Sequence, residues 1–459
     1  MFRIVNTVVV AAFLVGCPSP DDTVDSDVVE VTEWSRTRAR LTDASPAVRG
    51  RQPHRVITHL HSPWSHDACD GDGVVDDVVN AGCLADLRRG LCEAAVDLAF
   101  LTDHPDRAAY QDYTDLWHPQ PGDVTINSPD GQAIGVNVPC DDGSQTAWLP
   151  GTEDELMPLG LTRHVAEREE ARDNLYNRSD DDAIIELTDA GGLVFVAHTE
   201  KRDVETVRGQ RAAGLVGVEI FNAHAMFAPN IRSEFLGLEG LGWTNDIGPF
   251  TRPDATAEPD LLFLGVLELQ APSMALFDEL LQDGPLVGIV GTDAHQNVLR
   301  LELRDGERLD SYRRALSWFS NYVYSTDSSP QAIKDALAAG QSAVVFEVLG
   351  VPTGFDFYLD GDGITEMGGS AAGGDIVVAC PTLSDTFPHG ADAPDITVGV
   401  LKNGTLWQSG CGTFATDGPG VYRVQVDLTP HHLTPFLGEE PERFLRPFPW
   451  ILSNAIRVQ

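Results

Sequence analysis

The chain has 459 residues, 42% of them hydrophobic, with 70 acidic against 31 basic side chains and a formal net charge of −39. That length holds two or three domains with sizeable cores. The charge argues against nucleic-acid binding, which needs a basic footprint, and it requires a local cationic site, such as a metal cluster, for any anionic substrate.

Taken in chain order, the N-terminus reads as a processing signal. Arg3 precedes a mostly apolar run, Ile4 to Leu14, too short to span a bilayer. It ends in Leu14-Val-Gly-Cys17, which resembles the bacterial lipobox. Residues 1–17 are therefore read as a lipoprotein signal peptide with Cys17 lipidated. An ordinary signal peptide or a short buried strand is the alternative. The polar, acidic run from Pro18 to Asp27 opens a disordered tether over residues 18–50. The expected location is the bacterial cell envelope, facing periplasm or exterior and held to the membrane only by the lipid. Apart from Cys17 the cysteines are six in number, which predicts disulfides in an oxidising compartment. Cys380 and Cys411 are expected to pair, while Cys69, Cys83, Cys92 and Cys140 allow three pairings.

From 51 to 350, strand-like and helix-like segments alternate, the pattern of an α/β barrel. Helices are predicted over 183–190, 276–282, 311–319 and 331–339, the last capped by Ser329-Pro330 and stopped by Gly340. Two loop-rich insertions, 69–91 and 110–150, interrupt the pattern. Residues 351–459 carry short alternating runs and the hairpin signal Lys402-Asn-Gly-Thr405, which predicts a small C-terminal β-sandwich.

Several predicted strands end in metal-binding residue types. His59 and His61 follow Arg55-Val-Ile-Thr58, Asp103-His104 follows Val96 to Thr102, and Glu153 follows Gly151-Thr152. His198 follows Gly192 to Ala197, and Asp293-Ala-His295 follows Leu286 to Thr292. Barrel enzymes build their sites at the C-terminal ends of the strands. Residues i and i+2 of a strand share a face, so His59 and His61 can serve one metal. Asp103 then points away from His104 and is expected to orient a histidine from behind. Glu153 has two oxygens and can bridge two metals. Imidazole with carboxylate suits Zn, Mn or Fe.

This ordered set resembles the PHP (polymerase and histidinol phosphatase) superfamily of metallohydrolases. The matching motifs are H-x-H-S-x-x-S (His59, His61, Ser62, Ser65), T-D-H (Thr102 to His104), G-x-E (Gly151 to Glu153), His164, A-H (Ala197-His198) and D-A-H (Asp293 to His295). The resemblance implies a distorted (β/α)7 barrel, TIM-like, holding two or three divalent metals. Its implied ligands are His59, His61, His104, Glu153, His164, His198, Asp293 and His295. Many relatives place Ser-Asp-Gly after the first histidines. This chain has Ser65-His66-Asp67, and of His66 and Asp67 we take Asp67 as the ligand.

Around this set, Lys201 and Arg202 are candidates to clamp an anionic substrate, with an ordinary solvated loop equally open. His224, after Glu219-Ile-Phe-Asn222, is a candidate proton donor to a leaving group or else a hydrogen-bonded loop residue. Asp70-Gly-Asp-Gly-Val-Val-Asp-Asp77 reads either as a calcium loop or as an acidic turn. His54, His118, His389, His431 and His432 read as ordinary hydrogen-bonded histidines. The resulting expectation is a phosphoesterase of small molecules using a metal-bridging hydroxide. Its rivals are an ester, carbamate or amide hydrolase at the same metals and a non-catalytic surface-binding lipoprotein.

Overall fold

The structure is a computed structural model that describes residues 32–459. The signal peptide, Cys17 and the start of the tether lie outside the described residues.

The fold is mixed α/β, built around a large sheet. Strand β1 (Gln52–Ile57) pairs parallel with β2 (Leu98–Leu101), and β2 pairs parallel with β3 (Gln145–Pro150). A Gly151–Leu159 bridge leads to β4 (Leu156–Leu159), which runs antiparallel to β5 (Leu193–Val196). Strands β5, β6 (Gly217–Asn222) and β7 (Val287–Gly291) are parallel. A parallel Leu60–Ala294 bridge returns from the end of β7 to the end of β1. The strands from β1 to β7 thus form a circuit whose chain ends converge. One departure from an all-parallel arrangement has a simple cause. Only Gly151 to Glu155 separates β3 from β4, and a parallel crossover needs about a dozen residues.

The predicted insertion 110–150 carries strands Val124–Asn127 and Ala133–Pro139, which extend the main sheet beyond β3. On the far side, β8 (Ser320–Ser325) pairs antiparallel with β1, and β9 (Ser342–Val345) with β8. The C-terminal region continues this sheet. Asp395–Lys402 (β10) pairs with Gly420–Thr429 (β11), β11 with Phe448–Ser453 (β12), and β12 with β9. Backbone hydrogen bonds therefore cross residue 350. Asn454 adds to the join by accepting from Gly288 N at 2.7 Å. Besides the four-stranded sheet of β4 to β7, another four-stranded sheet contains Asp356–Asp360 and Asp375–Ala379.

Residues 32–50, expected as tether, pack onto the body. Trp34 lies edge-on to Phe387 and Phe436, and Arg38, Leu41 and Ala44 are buried. Their apolar surface drives this packing, whereas an acidic run has none to bury.

Three disulfides join Cys69 to Cys83, Cys92 to Cys140 and Cys380 to Cys411. This usage belongs to oxidising compartments. Among the described residues no helix is long and apolar enough to cross a membrane. The Cys92–Cys140 bond closes a loop of 48 residues, for which loop-closure entropy predicts about 4 kcal/mol. Urea unfolding of Cys92→Ser/Cys140→Ser is expected to show a loss of that order. A midpoint unchanged from wild type would contradict it.

Candidate metal centre

The circuit delivers side chains to one place because its parallel strands end at the same rim, where antiparallel β4 begins. Threonines satisfy the backbone where pairing ends. Thr102 Oγ1 accepts from Leu60 N at 3.1 Å, Thr58 Oγ1 donates to Val290 O at 2.8 Å, and Thr292 Oγ1 donates to His59 O at 2.7 Å. Gly291 is required there, since a Cβ would collide with Glu219 Oε1 and with His59 Cβ.

Within the rim, His59 Nε2 and His61 Nε2 approach to 3.1 Å, and each lies 3.3 Å from Asp293 Oδ1. Glu153 reaches His104 Nδ1 through Oε2 at 3.0 Å and His198 Nε2 through Oε1 at 3.4 Å. His198 Nε2 is also 3.5 Å from Asp293 Oδ2. His295 Nε2 and Asp67 Oδ1 stand 3.3 Å apart, both buried and without hydrogen-bond partners among the described residues. Ligand atoms of His59/His61/Asp293, of His59/Glu153/His198 and of His61/His104/His295 each fall within 4.8 Å of one another.

The tautomers follow from the partners behind the rings. His59 Nδ1 lies 2.8 Å from Glu219 Oε1, His61 Nδ1 2.7 Å from Ser65 Oγ, and His295 Nδ1 2.9 Å from Asp293 O. Each neutral ring therefore keeps its proton on Nδ1 and turns an Nε2 lone pair inward. Two lone pairs 3.1 Å apart, beside a carboxylate, repel unless a cation or proton lies between them. Donors at this spacing match bonds of about 2.0–2.2 Å to a common divalent ion. The residues present thus fit a metal.

Protonation shows the same demand. Burial alone would discharge His104, yet the Glu153 and Asp67 carboxylates outweigh it and push the ring up to about 10. Burial likewise opposes charge on His59 and His198, but Asp293 and Glu219 raise the first, and Glu153, Glu200 and Asp293 raise the second. His61 moves the opposite way, through burial and the neighbouring His295. The carboxylates that favour charge on these rings would also favour a divalent ion, whose uptake would compete with protons.

Behind the donors, Asp103 is 2% exposed. It accepts from Ser62 N at 2.6 Å, Ser62 Oγ at 2.7 Å and Ser65 Oγ at 3.0 Å. Burial raises it to about 6 against those hydrogen bonds. Asp103 thereby holds Ser65, which holds His61. Asn222 Nδ2 donates to Glu219 and, at 3.1 Å, to Asp293 Oδ2.

The remaining candidate residues have mixed placements. His164 stands apart, its Nδ1 at 3.0 Å from the Tyr176 hydroxyl and its Nε2 at 3.0 Å from Gln111 O. Both nitrogens are engaged after the chain leaves β4. Asp67 turns to the cluster, while exposed His66 lies 3.1 Å from Asp106. The calcium loop is not formed. Asp70 is bound by Arg308 and Arg300, Asp72 by Arg300, and Asp76 and Asp77 occupy a tight hairpin turn. Lys201 is exposed, and Arg202 is 2.8 Å from Glu155 and donates to Ala197 O. Its guanidinium is committed, so Arg202→Ala is expected to change hydrolysis kinetics by less than about threefold. A tenfold loss of kcat/KM with metal content intact would restore the clamp.

His224 borders a cavity of about 30 Å³ shared with Asp293, His295, Phe227 and Trp318. His118, read as an ordinary histidine, lies 2.7 Å from Ser62 Oγ and stacks on Trp64. Ser62 spends its proton on Asp103, so His118 Nε2–H donates to Ser62. Sequence reasoning had no signal for this contact, made from the far insertion. Glu219 was visible only as part of a strand-end motif.

No family model matches the chain, and no curated protein matches it. Among solved structures it is similar to a two-domain protein containing a predicted PHP-like metal-dependent phosphoesterase from Bacteroides vulgatus ATCC 8482. Identity is 13% and TM-score 0.35, over 91% of this chain and 99% of that one. It is also similar to PsfC from Pseudomonas syringae PB-5123, at 13% identity and TM-score 0.36, over 64% of this chain and 93% of that one. Likenesses this distant carry no weight for chemistry.

Proposed function

We propose that this chain is a metal-dependent hydrolase of the PHP type, with a distorted (β/α)7 barrel and a C-terminal β domain, acting on small-molecule phosphoesters. The observation that carries the reading is the inward set of imidazole nitrogens around Asp293, with His59 Nε2 and His61 Nε2 only 3.1 Å apart. His59, His61, His104, His198, His295, Asp67, Glu153 and Asp293 would hold two or three divalent ions, with Glu153 placed to be shared. Bound there, such ions supply Lewis acidity and bring the pKa of water near neutrality. The protein's own contribution is to fix ring tautomers through Glu219, Ser65 and Asp103. His224, which borders the small cavity beside Asp293 and His295, would be the group that hands a proton to a departing group.

The carbon-centred reading, an ester, carbamate or amide hydrolase, draws support from the pairing of Arg202 with Glu155. That pairing competes with an anion for the Arg202 guanidinium, while Lys201 stays exposed. We also propose attachment to the bacterial cell envelope through Cys17, consistent with the disulfides. The test is metal content by mass spectrometry, then a panel of nitrophenyl phosphates and nitrophenyl esters. Two or more Zn, Mn or Fe per chain with turnover of the phosphates supports the first reading, and turnover of esters alone supports the second. A chain that stays empty after metal is supplied would falsify both.

A further inference from the structure

Glu200 lies on the turn Thr199–Lys201, directly after His198. His198 has a left-handed backbone, φ 53°, which folds the chain back beneath its own ring. The turn is anchored to β6, because Thr199 Oγ1 donates to Glu219 O. Glu200 is only 5% exposed, yet both of its carboxylate oxygens lack a hydrogen-bond partner among the described residues. His198 Nδ1 is likewise buried and unpartnered, and it lies 3.5 Å from Glu200 Oε1. Two complementary groups are thus buried side by side with their contact open. A buried carboxylate without a partner is strongly disfavoured, so a structural role alone leaves it unexplained.

The other rings suggest what closes the contact. His59 has Glu219 behind Nδ1, His61 has Ser65 and Asp103, and His295 has a backbone carbonyl. In each case the partner fixes Nδ1–H and frees Nε2. His198 Nε2 faces Glu153 Oε1 at 3.4 Å and Asp293 Oδ2 at 3.5 Å. We propose that Glu200 is the positioning residue of His198, accepting Nδ1–H and drawing closed when Nε2 takes a divalent ion. The proposal rests on the metal reading above. A cation on Nε2 makes Nδ1–H a stronger donor and offsets the charge of Glu200, so ion binding and this hydrogen bond reinforce each other. Gln at 200 keeps an acceptor oxygen without the charge, and Ala keeps neither.

The test uses the full chain, stripped of metal and titrated with Co²⁺ as wild type, Glu200→Gln and Glu200→Ala. Affinity, the visible Co²⁺ spectrum and thermal midpoints with and without metal are recorded. The expected result is one class of Co²⁺ bound about 10- to 100-fold more weakly in Glu200→Ala, with an altered spectrum. Glu200→Gln should fall between, and neither variant should melt below wild type when metal-free. Identical affinities and spectra in all forms would overturn the assignment while leaving the metal centre standing. An equal drop in midpoint with and without metal, at unchanged affinity, would also overturn it in favour of a packing role. A wild type that binds no Co²⁺ would overturn the metal reading and this assignment together.

Discussion

Replacing Asp293 by alanine is expected to strip metal from the chain and abolish hydrolysis. Asp293 touches more of the cluster than any other expected ligand. Oδ1 lies 3.3 Å from His59 Nε2, His61 Nε2 and His295 Nδ1, and Oδ2 lies 3.5 Å from His198 Nε2. Those imidazoles hold the carboxyl well below its usual range despite burial. Its backbone is left-handed, φ 49°, a conformation that the surrounding contacts must over-determine. Removing the carboxylate leaves converging rings with no anion between them. Metal affinity should fall by at least about 100-fold, the upper end of what losing a supporting partner costs. The metal-free protein should lose about 3–5 kcal/mol, as when one partner of a buried charged set is deleted. Mass spectrometry reads the first effect and urea unfolding the second. A variant that kept its full metal complement would take Asp293 out of the centre.

The second large effect is acid lability carried by histidines outside the metal cluster. Burial pushes His118 down to about 3, with Arg88 adding to the shift, and burial pushes His432 down to about 4. Both are nearly inaccessible, at 4% and 1% exposure. An unfolded histidine titrates near 6.5. The folded values are depressed, so the unfolded chain binds more protons and stability rises with pH. The contribution is complete above about pH 6.5 and is lost as pH falls toward 3–4. Between pH 7 and pH 4 each ring should cost about 3 kcal/mol. Chemical unfolding of the metal-free chain at the two pH values gives the total. His118→Gln and His432→Gln should each make the dependence shallower by that amount. A dependence as steep in the variants as in wild type would assign the lability to carboxylates.

How far the chain could be read without coordinates differs from element to element. Helix Pro330–Ala338 follows its cap and its glycine stop, since Ser329 Oγ accepts from Ala332 N. These signals act within one turn and need no distant partner. The helix expected over 311–319 ends at Leu316 because the chain must enter β8 at Ser320. The residue types of the centre were legible for the same local reason. The i, i+2 spacing marked His59 with His61 and Asp293 with His295, although β1 ends at Ile57, β7 ends at Gly291 and left-handed Asp293 departs from strand alternation.

What sequence by itself determined was therefore the list of chemistry-bearing strand ends, the turn and cap signals, and the even number of cysteines left after Cys17. Tertiary structure decided which of these groups meet. It turned Asp67 toward His295 and His66 toward Asp106, sent His164 to Tyr176, and tied Arg202 to Glu155 and Asp70 to arginines. It also placed His118 behind Ser62, paired Cys92 with Cys140, and ran the main sheet across residue 350. The physical reason is range. Side-chain alternation, capping and turn chemistry are set by neighbours a few residues away. Ion pairing, buried hydrogen bonds and disulfide partners depend on which distant surfaces packing brings together, and one chain offers many partners of equal chemistry.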